Sequence, residues 1–277
     1  MKKILLIITL SVLALACSKD NGSDDGSSVI NPHACILTVE IEGYGASHIW
    51  SSNDNFGIYG SEGGNNVRYA VETTSFDNGG LTRIYGIGAD GDIFGYYPYS
   101  VEGYVAVASG RQPLAGTQVF TESAEAQLRA NTVLVAKAQD DRLSFSYRCG
   151  VLYLHMTTDI LGTVHSATLS SPSKALCGDL SIIGQEPAIL NPGQEITLSG
   201  IGRICTMEAP LDIRFMLPPG TYSDLLITLV SDVETIVKPV EATLTIEAKT
   251  EVRCTVSNKE TVYEGPDIII IEGKFDD

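Results

Sequence analysis

The chain has 277 residues, enough for about two domains of roughly 100 to 200 residues each and for a sizeable buried core. Eighteen basic residues stand against 34 acidic ones, a formal net charge of −16 that repels phosphate backbones and argues against nucleic acid as a partner. With 44% hydrophobic residues, 19% charged residues, 27 Gly and 11 Pro, the composition excludes wholesale disorder, collagen and coiled coil, and it suits a β-rich fold.

The first element is a basic start, Met1-Lys2-Lys3, followed by the mostly apolar stretch 4–16 and then Cys17. This pattern reads as an export signal, too short for a transmembrane helix, which needs about 20 apolar residues. Ala14-Leu15-Ala16-Cys17 resembles the bacterial lipobox, with Ala14 where a Leu often stands. That resemblance implies a signal peptide over 1–16, removed before a Cys17 that carries palmitate-type acyl chains. The alternative is a plain secretory signal with an incidental Cys. Loss of Lys2 and Lys3 leaves 16 basic residues against 34 acidic ones, a surface suited to display in solution rather than to adhesion on anionic headgroups.

Residues 18–28 contain no apolar side chain, so the segment 17–33 is expected to be a flexible acidic tether. Its acids are either a solvated linker or an address, since they resemble the signal that sends Bacteroidetes lipoproteins to the outer face of the outer membrane. Beyond Cys17 the chain has Cys35, Cys149, Cys177, Cys205 and Cys254, an odd number with no C-x-x-C and no His at ligand spacing. A zinc site is not expected. Positions 35, 37, 39 and 41 share one strand face, as do Val252, Cys254 and Val256, so these thiols read as small core hydrophobes. One or two disulfides stay open in an exported protein.

Strand signals then recur about every ten residues between Gly, Pro, Asn and Asp punctuation, the pattern of β-sandwiches. The segment 240–247 is the clearest, with Val240, Ala242, Leu244 and Ile246 facing in and Glu241, Thr243, Thr245 and Glu247 facing out. Segments 151–156, 212–217 and 225–230 read similarly, and only 121–131 has helix-forming composition. The polar run 136–142 separates a Gly- and Tyr-rich half from a regularly alternating one. The expected fold is all-β, with an N-terminal domain over 34–142 and a C-terminal domain over 143–277.

The succession His48-Ile-Trp50, Asn55-Phe-Gly-Ile-Tyr59, Asn65-Asn-Val-Arg-Tyr69 and Phe94-Gly-Tyr-Tyr-Pro-Tyr-Ser100 resembles the first domain of Bacteroidales fimbrillin-like proteins. Asn53-Asp54-Asn55 stands where Gly-Asp is usual there, and Gly95 where Ala is usual. Leu143 to Tyr147, Leu152 to His155, Ala167 to Leu169 and Phe215 to Gly220 are similar to that family's second domain. The resemblance covers nearly the whole chain after the tether. It implies two tandem β-sandwiches of transthyretin-like or Greek-key type in a type V pilus component or related surface lipoprotein. The implied place is the cell surface, lipid-anchored in the outer membrane or built into fimbriae. The implied partners are other fimbrial subunits, joined by strand exchange, the outer membrane, through the lipid on Cys17, and ligands on host or bacterial surfaces.

In that family a polymerising subunit loses its first strand to an arginine-directed protease, and an extended strand of the next subunit fills the groove; ladder hydrogen bonds supply affinity and alternating pockets the register. Ile268, Ile269, Ile270 and Ile271 are the candidate donor strand, or else the last core strand of the second sandwich. Between Lys19 and Arg68 there is no Lys or Arg. The first strand, 35–42, therefore lacks a basic cut site, which favours an anchor, tip or accessory subunit over a processed stalk subunit.

Enzyme motifs are weak. Gly86-Ile-Gly-Ala-Asp-Gly91 matches G-x-G-x-x-G, but a strand pattern follows where a phosphate cradle needs a helix, so it reads as a hairpin turn. His33, His48, His155 and His165 form no H-E-x-x-H, and no Ser sits in a G-x-S-x-G elbow. Carboxylate pairs for glycoside hydrolysis stay open, since the fold sets their spacing. Asp54, Asp90 and Asp92 lie in Gly/Asn loops that read as solvated turns rather than calcium loops. No enzymatic activity, cofactor or metal is expected. The alternative function is a carbohydrate-binding outer-membrane lipoprotein, with Trp50, Tyr85, Tyr96, Tyr97, Tyr99 and Tyr104 as a stacking platform; alternation puts Tyr97 and Tyr99 on one face and Tyr96 on the other.

Overall fold

The computed structural model describes residues 37–41, 54–60, 63–64, 66–70, 76–77, 81–84, 89–90, 92–100, 110–139, 142–181, 189–257 and 261–263. In chain order the strands begin with β1 (Leu37–Ile41), β2 (Asn55–Gly60), β3 (Gly63–Gly64), β4 (Val67–Ala70), β5 (Phe76–Asp77), β6 (Leu81–Ile84), β7 (Ala89–Asp90), β8 (Ile93–Tyr97), β9 (Arg111–Leu114) and β10 (Thr117–Val119). Helix α1 (Ala124–Asn131) precedes β11 (Leu134–Gln139), β12 (Arg142–Tyr147), β13 (Gly150–Thr157), β14 (Ile160–Ser170), β15 (Cys177–Ser181), β16 (Ile189–Gly193) and β17 (Glu195–Cys205). The last are β18 (Leu211–Leu217), β19 (Gly220–Tyr222), β20 (Leu226–Ser231), β21 (Thr235–Pro239), β22 (Leu244–Ile246), β23 (Glu251–Ser257) and β24 (Thr261–Tyr263). The fold is all-β, with a single short helix among the described residues.

The N-terminal strands build an eight-stranded sheet in the order β4-β2-β8-β11-β12-β1-β6-β5. Its buried face gathers Val39, Phe56, Ile58, Tyr97, Leu134, Leu143 and Phe145, alternate residues of β1, β2, β8, β11 and β12. The second half is a sandwich whose five-stranded sheet, β10-β17-β14-β20-β21, and four-stranded sheet, β18-β13-β23-β24, contribute to one continuous apolar cluster. Leu152, Leu154 and Met156 of β13 meet Ala167 and Leu169 of β14, Ile196 and Leu198 of β17, Phe215 of β18 and Leu229 of β20 in that cluster. At about 2 kcal/mol for each fully buried large apolar side chain, this cluster supplies most of the second half's stability.

Helix α1 forms where the composition leads one to expect it, and Ser123 sets its start: the Ser123 hydroxyl accepts the Ala126 N–H. The 240–247 segment keeps its expected inward face, since Val240, Leu244 and Ile246 are buried. Its ladder is shorter than alternation suggests. Val240 donates to the Leu225 carbonyl and Ala242 to that of Val240, so the chain turns there and pairs again only over β22. Cys149, Cys177, Cys205 and Cys254 are buried, and burial pushes the Cys149 thiol up to about 12. Cys35 lies outside the described residues.

Strands cross the expected junction at Arg142 in both directions. β12, which begins there, pairs with β11 and β1 in the first sheet. β9 and β10, which precede it, pair with β15 and β17 of the second half.

Candidate functional site

Strand β1 lies inside its sheet, between β12 and β6. It pairs in parallel with β12, from Thr38 opposite Arg142 to Ile41 opposite Phe145, and antiparallel with β6, from Leu37 opposite Ile84 to Val39 opposite Thr82. Val39 is fully buried and Ile41 packs on the same cluster, so the slot between β12 and β6 offers ladder bonds on both edges and an apolar seat at alternate positions. An extended segment of any origin with that alternation fits the same chemistry.

Downstream of β1, Arg68 is the first basic residue after Lys19. It lies on β4, at the edge of the sheet, where its Nε donates to Asn55 Oδ1 at 2.9 Å and its guanidinium lies 5.8 Å from the Tyr99 ring centre. A cut there severs β1 and β2 together, and with them Val39, Phe56 and Ile58 of the first core.

The aromatic rhythm of the N-terminal half has a packing role on both faces of β2 and β8. Phe56 stacks on Tyr69 at 5.6 Å and meets Phe145 edge-on at 5.5 Å, while on the opposite face Tyr59 stacks on Phe94 at 5.4 Å. Gly57 is required beneath Tyr96: a Cβ there would lie 2.1 Å from a ring carbon. Gly95 leaves the same space for Phe145, whose Cζ would be 2.7 Å from a Cβ. Tyr99 stacks on Tyr96, 6.3 Å away, and so lies on Tyr96's face rather than Tyr97's. The alternation expected through residue 99 stops because β8 ends at Tyr97 and Pro98 has no N–H to continue a ladder. Tyr96 and Tyr97 are 1% and 9% exposed, so neither ring is open to a sugar. Trp50, Tyr85 and Tyr104 lie outside the described residues.

Asp54 is not a solvated turn. It is buried, its Oδ1 accepts the Tyr97 hydroxyl at 3.0 Å, and its Oδ2 is 2.8 Å from Arg129 Nη1 on α1. Burial and the Asp54 carboxylate together raise the Tyr97 phenol well above its ordinary value. The Asp of the Asn53-Asp54-Asn55 motif thus ties the first sheet to the helix. Sequence reading missed this because Arg129 is 75 positions away. Gly86 to Gly91 is followed by β8, a strand, as expected, but it closes no hairpin, since β6 pairs with β1 and β5 while β8 pairs with β2 and β11; Asp92 pairs with Lys137 at 2.6 Å.

In the second half, Arg214, Tyr153 and Arg253 form a row across β18, β13 and β23, with the guanidiniums 4.6 and 5.2 Å from the ring centre. Both Nε atoms donate to the buried Glu251 carboxylate, at 3.2 and 2.9 Å. Cys17 and Ile268 to Ile271, the lipidation and donor-strand candidates, lie outside the described residues. No helix among the described residues is long and apolar enough to cross a membrane.

A solved structure shares this architecture. A protein from Bacteroides ovatus, described as a candidate cell adhesion protein, aligns with a TM-score of 0.50 at 15% identity over 80% of this chain and 90% of its own. The two chains share a fold. A similarly described protein from Bacteroides uniformis aligns at 0.48 and 16% identity, over 83% of this chain and 96% of its own. The tip fimbrial protein Mfa3 from Porphyromonas gingivalis, truncated at its C-terminus, aligns at 0.41 and 8% identity, over 83% of this chain and 98% of its own. At 15% identity the likeness to the first establishes a common fold, and it is the kind of fold that the resemblance to fimbrillin-like proteins implies. No protein-family model and no curated relative matches the sequence.

Proposed function

We propose that this chain is a structural and adhesive component of a cell-surface fimbria, an anchor, tip or accessory subunit rather than a processed stalk subunit. In this reading a lipid on Cys17 holds it in the outer membrane, two tandem sandwich domains over 34–142 and 143–277 form its body, and partner subunits join it by β-strand addition. It is a non-enzymatic role with no cofactor. The adhesion-protein fold supports the reading, and so do the lipobox and the aromatic rhythm. The observation that carries the subunit type is the position of β1, inside its sheet and with no Lys or Arg between Lys19 and Arg68 to release it cleanly.

The test is the intact mass and N-terminal sequence of the protein recovered from washed cells, read beside its accessibility to added protease. An acylated Cys17 on an otherwise uncut, protease-accessible chain is the expected result. An N-terminus at Tyr69, with the lipid lost, would mean that processing and strand replacement occur, and the stalk role would then take the place of this one.

A further inference from the structure

One end of the second sandwich carries an exposed apolar cluster on a rigid base. Leu161, Ile204, Met207 and Val233 are 66%, 57%, 63% and 64% exposed. Leu161 lies at the start of β14 and Ile204 at the end of β17, while Met207 and Val233 lie in the connections from β17 to β18 and from β20 to β21. Ile160 pairs with Cys205, which puts Leu161 beside Ile204. The Met207 N–H donates to Asp159 Oδ1 at 3.1 Å, and a Cβ on Gly162 would lie 2.8 Å from Val233 Cγ2, so the other two side chains belong to the same end.

The connections are fastened by side chains. Ser231 Oγ donates to the Leu161 carbonyl at 2.6 Å and accepts the N–H groups of Val233 and Glu234. Glu234 accepts the Leu161 N–H at 2.6 Å, and Asp232 accepts the Thr163 N–H at 2.7 Å. A surface held this way orders little more on binding, and exposed apolar clusters on such bases mark contact sites.

We propose that this end is a docking surface for a protein partner that presents basic side chains around an apolar patch. Charge selects the partner's chemistry. Segments 157–163, 204–210 and 231–234 contain Asp159, Glu208, Asp232 and Glu234 and no Lys, Arg or His. Such a rim attracts a cationic partner and repels anionic lipid headgroups, while the apolar centre supplies the contact that a purely ionic encounter lacks. The proposal goes beyond the fimbrial reading and does not depend on it.

The test uses the chain from Cys17 onward and three labelled probes: an amphipathic Leu/Lys peptide, a Leu/Glu peptide of the same pattern, and polylysine. Fluorescence anisotropy at physiological ionic strength should show binding of the Leu/Lys peptide in preference to both others. The double variant Leu161→Ser with Met207→Ser should weaken it about tenfold, since two apolar contacts are lost. Glu208→Gln should weaken it severalfold. All three side chains are exposed, so thermal unfolding should be unchanged and the loss attributable to the surface. Equal binding by the double variant, equal binding of polylysine, or no binding of the Leu/Lys peptide would overturn the proposal. So would vesicles of phosphatidylglycerol that bind the chain and release the double variant, which would make the end a lipid contact. A dimer in sedimentation that the double variant dissolves would assign it to a second copy of the chain.

Discussion

Tyr59 shows how much a single buried polar atom can decide. Its ring packs against Phe94 and Tyr96, but its hydroxyl is buried without a hydrogen-bond partner among the described residues. Burial, then the neighbouring Tyr96, raises its phenol from 10.0 to about 12. The folded chain therefore keeps this proton where the unfolded chain has lost it. The resulting stability is fully present below about pH 10 and is lost as pH rises toward about 12. Tyr59→Phe should raise the unfolding free energy at pH 8 by about 1 kcal/mol, because no unpaired hydroxyl is then buried, and urea titrations from pH 8 to 12 should show a shallower alkaline decline. Cys149, raised from 9.0 to about 12 by burial, leaves a residual slope of the same sign in that variant. Asp54 gives the opposite case, a buried polar atom fully used. Asp54→Ala removes the acceptor of the Tyr97 hydroxyl bond and one partner of Arg129, and should cost about 3 kcal/mol in urea unfolding, with Asp54→Asn costing less because one acceptor stays.

Element by element, what the sequence made legible was what alternation and aromatic rhythm control. The inward residues of β13, β18, β20 and β23 could be named from period two alone, and the Phe56, Tyr69 and Phe94 pattern marked the strands that now stack on one another. The sequence could not show which rings share a face once a strand stops, which put Tyr99 on the wrong side. Nor could it show long-range partners such as Arg129 for Asp54, or the convergence of Leu161, Ile204, Met207 and Val233, since turns are read locally and their assembly is tertiary. Glycine is the bridge between the two levels. Gly57 and Gly95 look like weak points in strands, yet Gly57 lies under Tyr96 of the neighbouring β8 and Gly95 under Phe145 of β12, two strands away. Gly95→Ala should destabilise by about 1 to 3 kcal/mol through displacement of Phe145, although an alanine there is the usual residue in the family this chain resembles. Gly57→Ala should cost more, because the ring it displaces also holds the 2.8 Å hydrogen bond from Tyr96 to Asn66. Thermal unfolding of the two variants side by side would rank them, and equal midpoints would show that the rings relocate freely.

At the scale of the whole molecule, the two proposed domains are interlocked rather than strung in line. β12 lies C-terminal to the junction at Arg142 but carries Leu143, Phe145 and Tyr147 into the first core. β9, β10 and α1 lie N-terminal to it but ladder or pack onto the second half, where Gln118 bonds both the N–H and the carbonyl of Met216 and Gln127 bonds the Arg214 carbonyl. The Asp54 to Arg129 ion pair ties the first sheet to α1, the helix that packs on the second half. Such crossing makes the unfolding of one half costly to the other. It follows that 34–142 and 143–277, expressed apart, should each lack strands their own sheets need. Neither should show a sharp thermal transition, whereas mixing the two should restore one by complementation across β12 and β9 to α1. Circular dichroism melts of the separate and mixed pieces would decide it: a sharp transition in either piece alone would mean that the crossing strands decorate two independent cores.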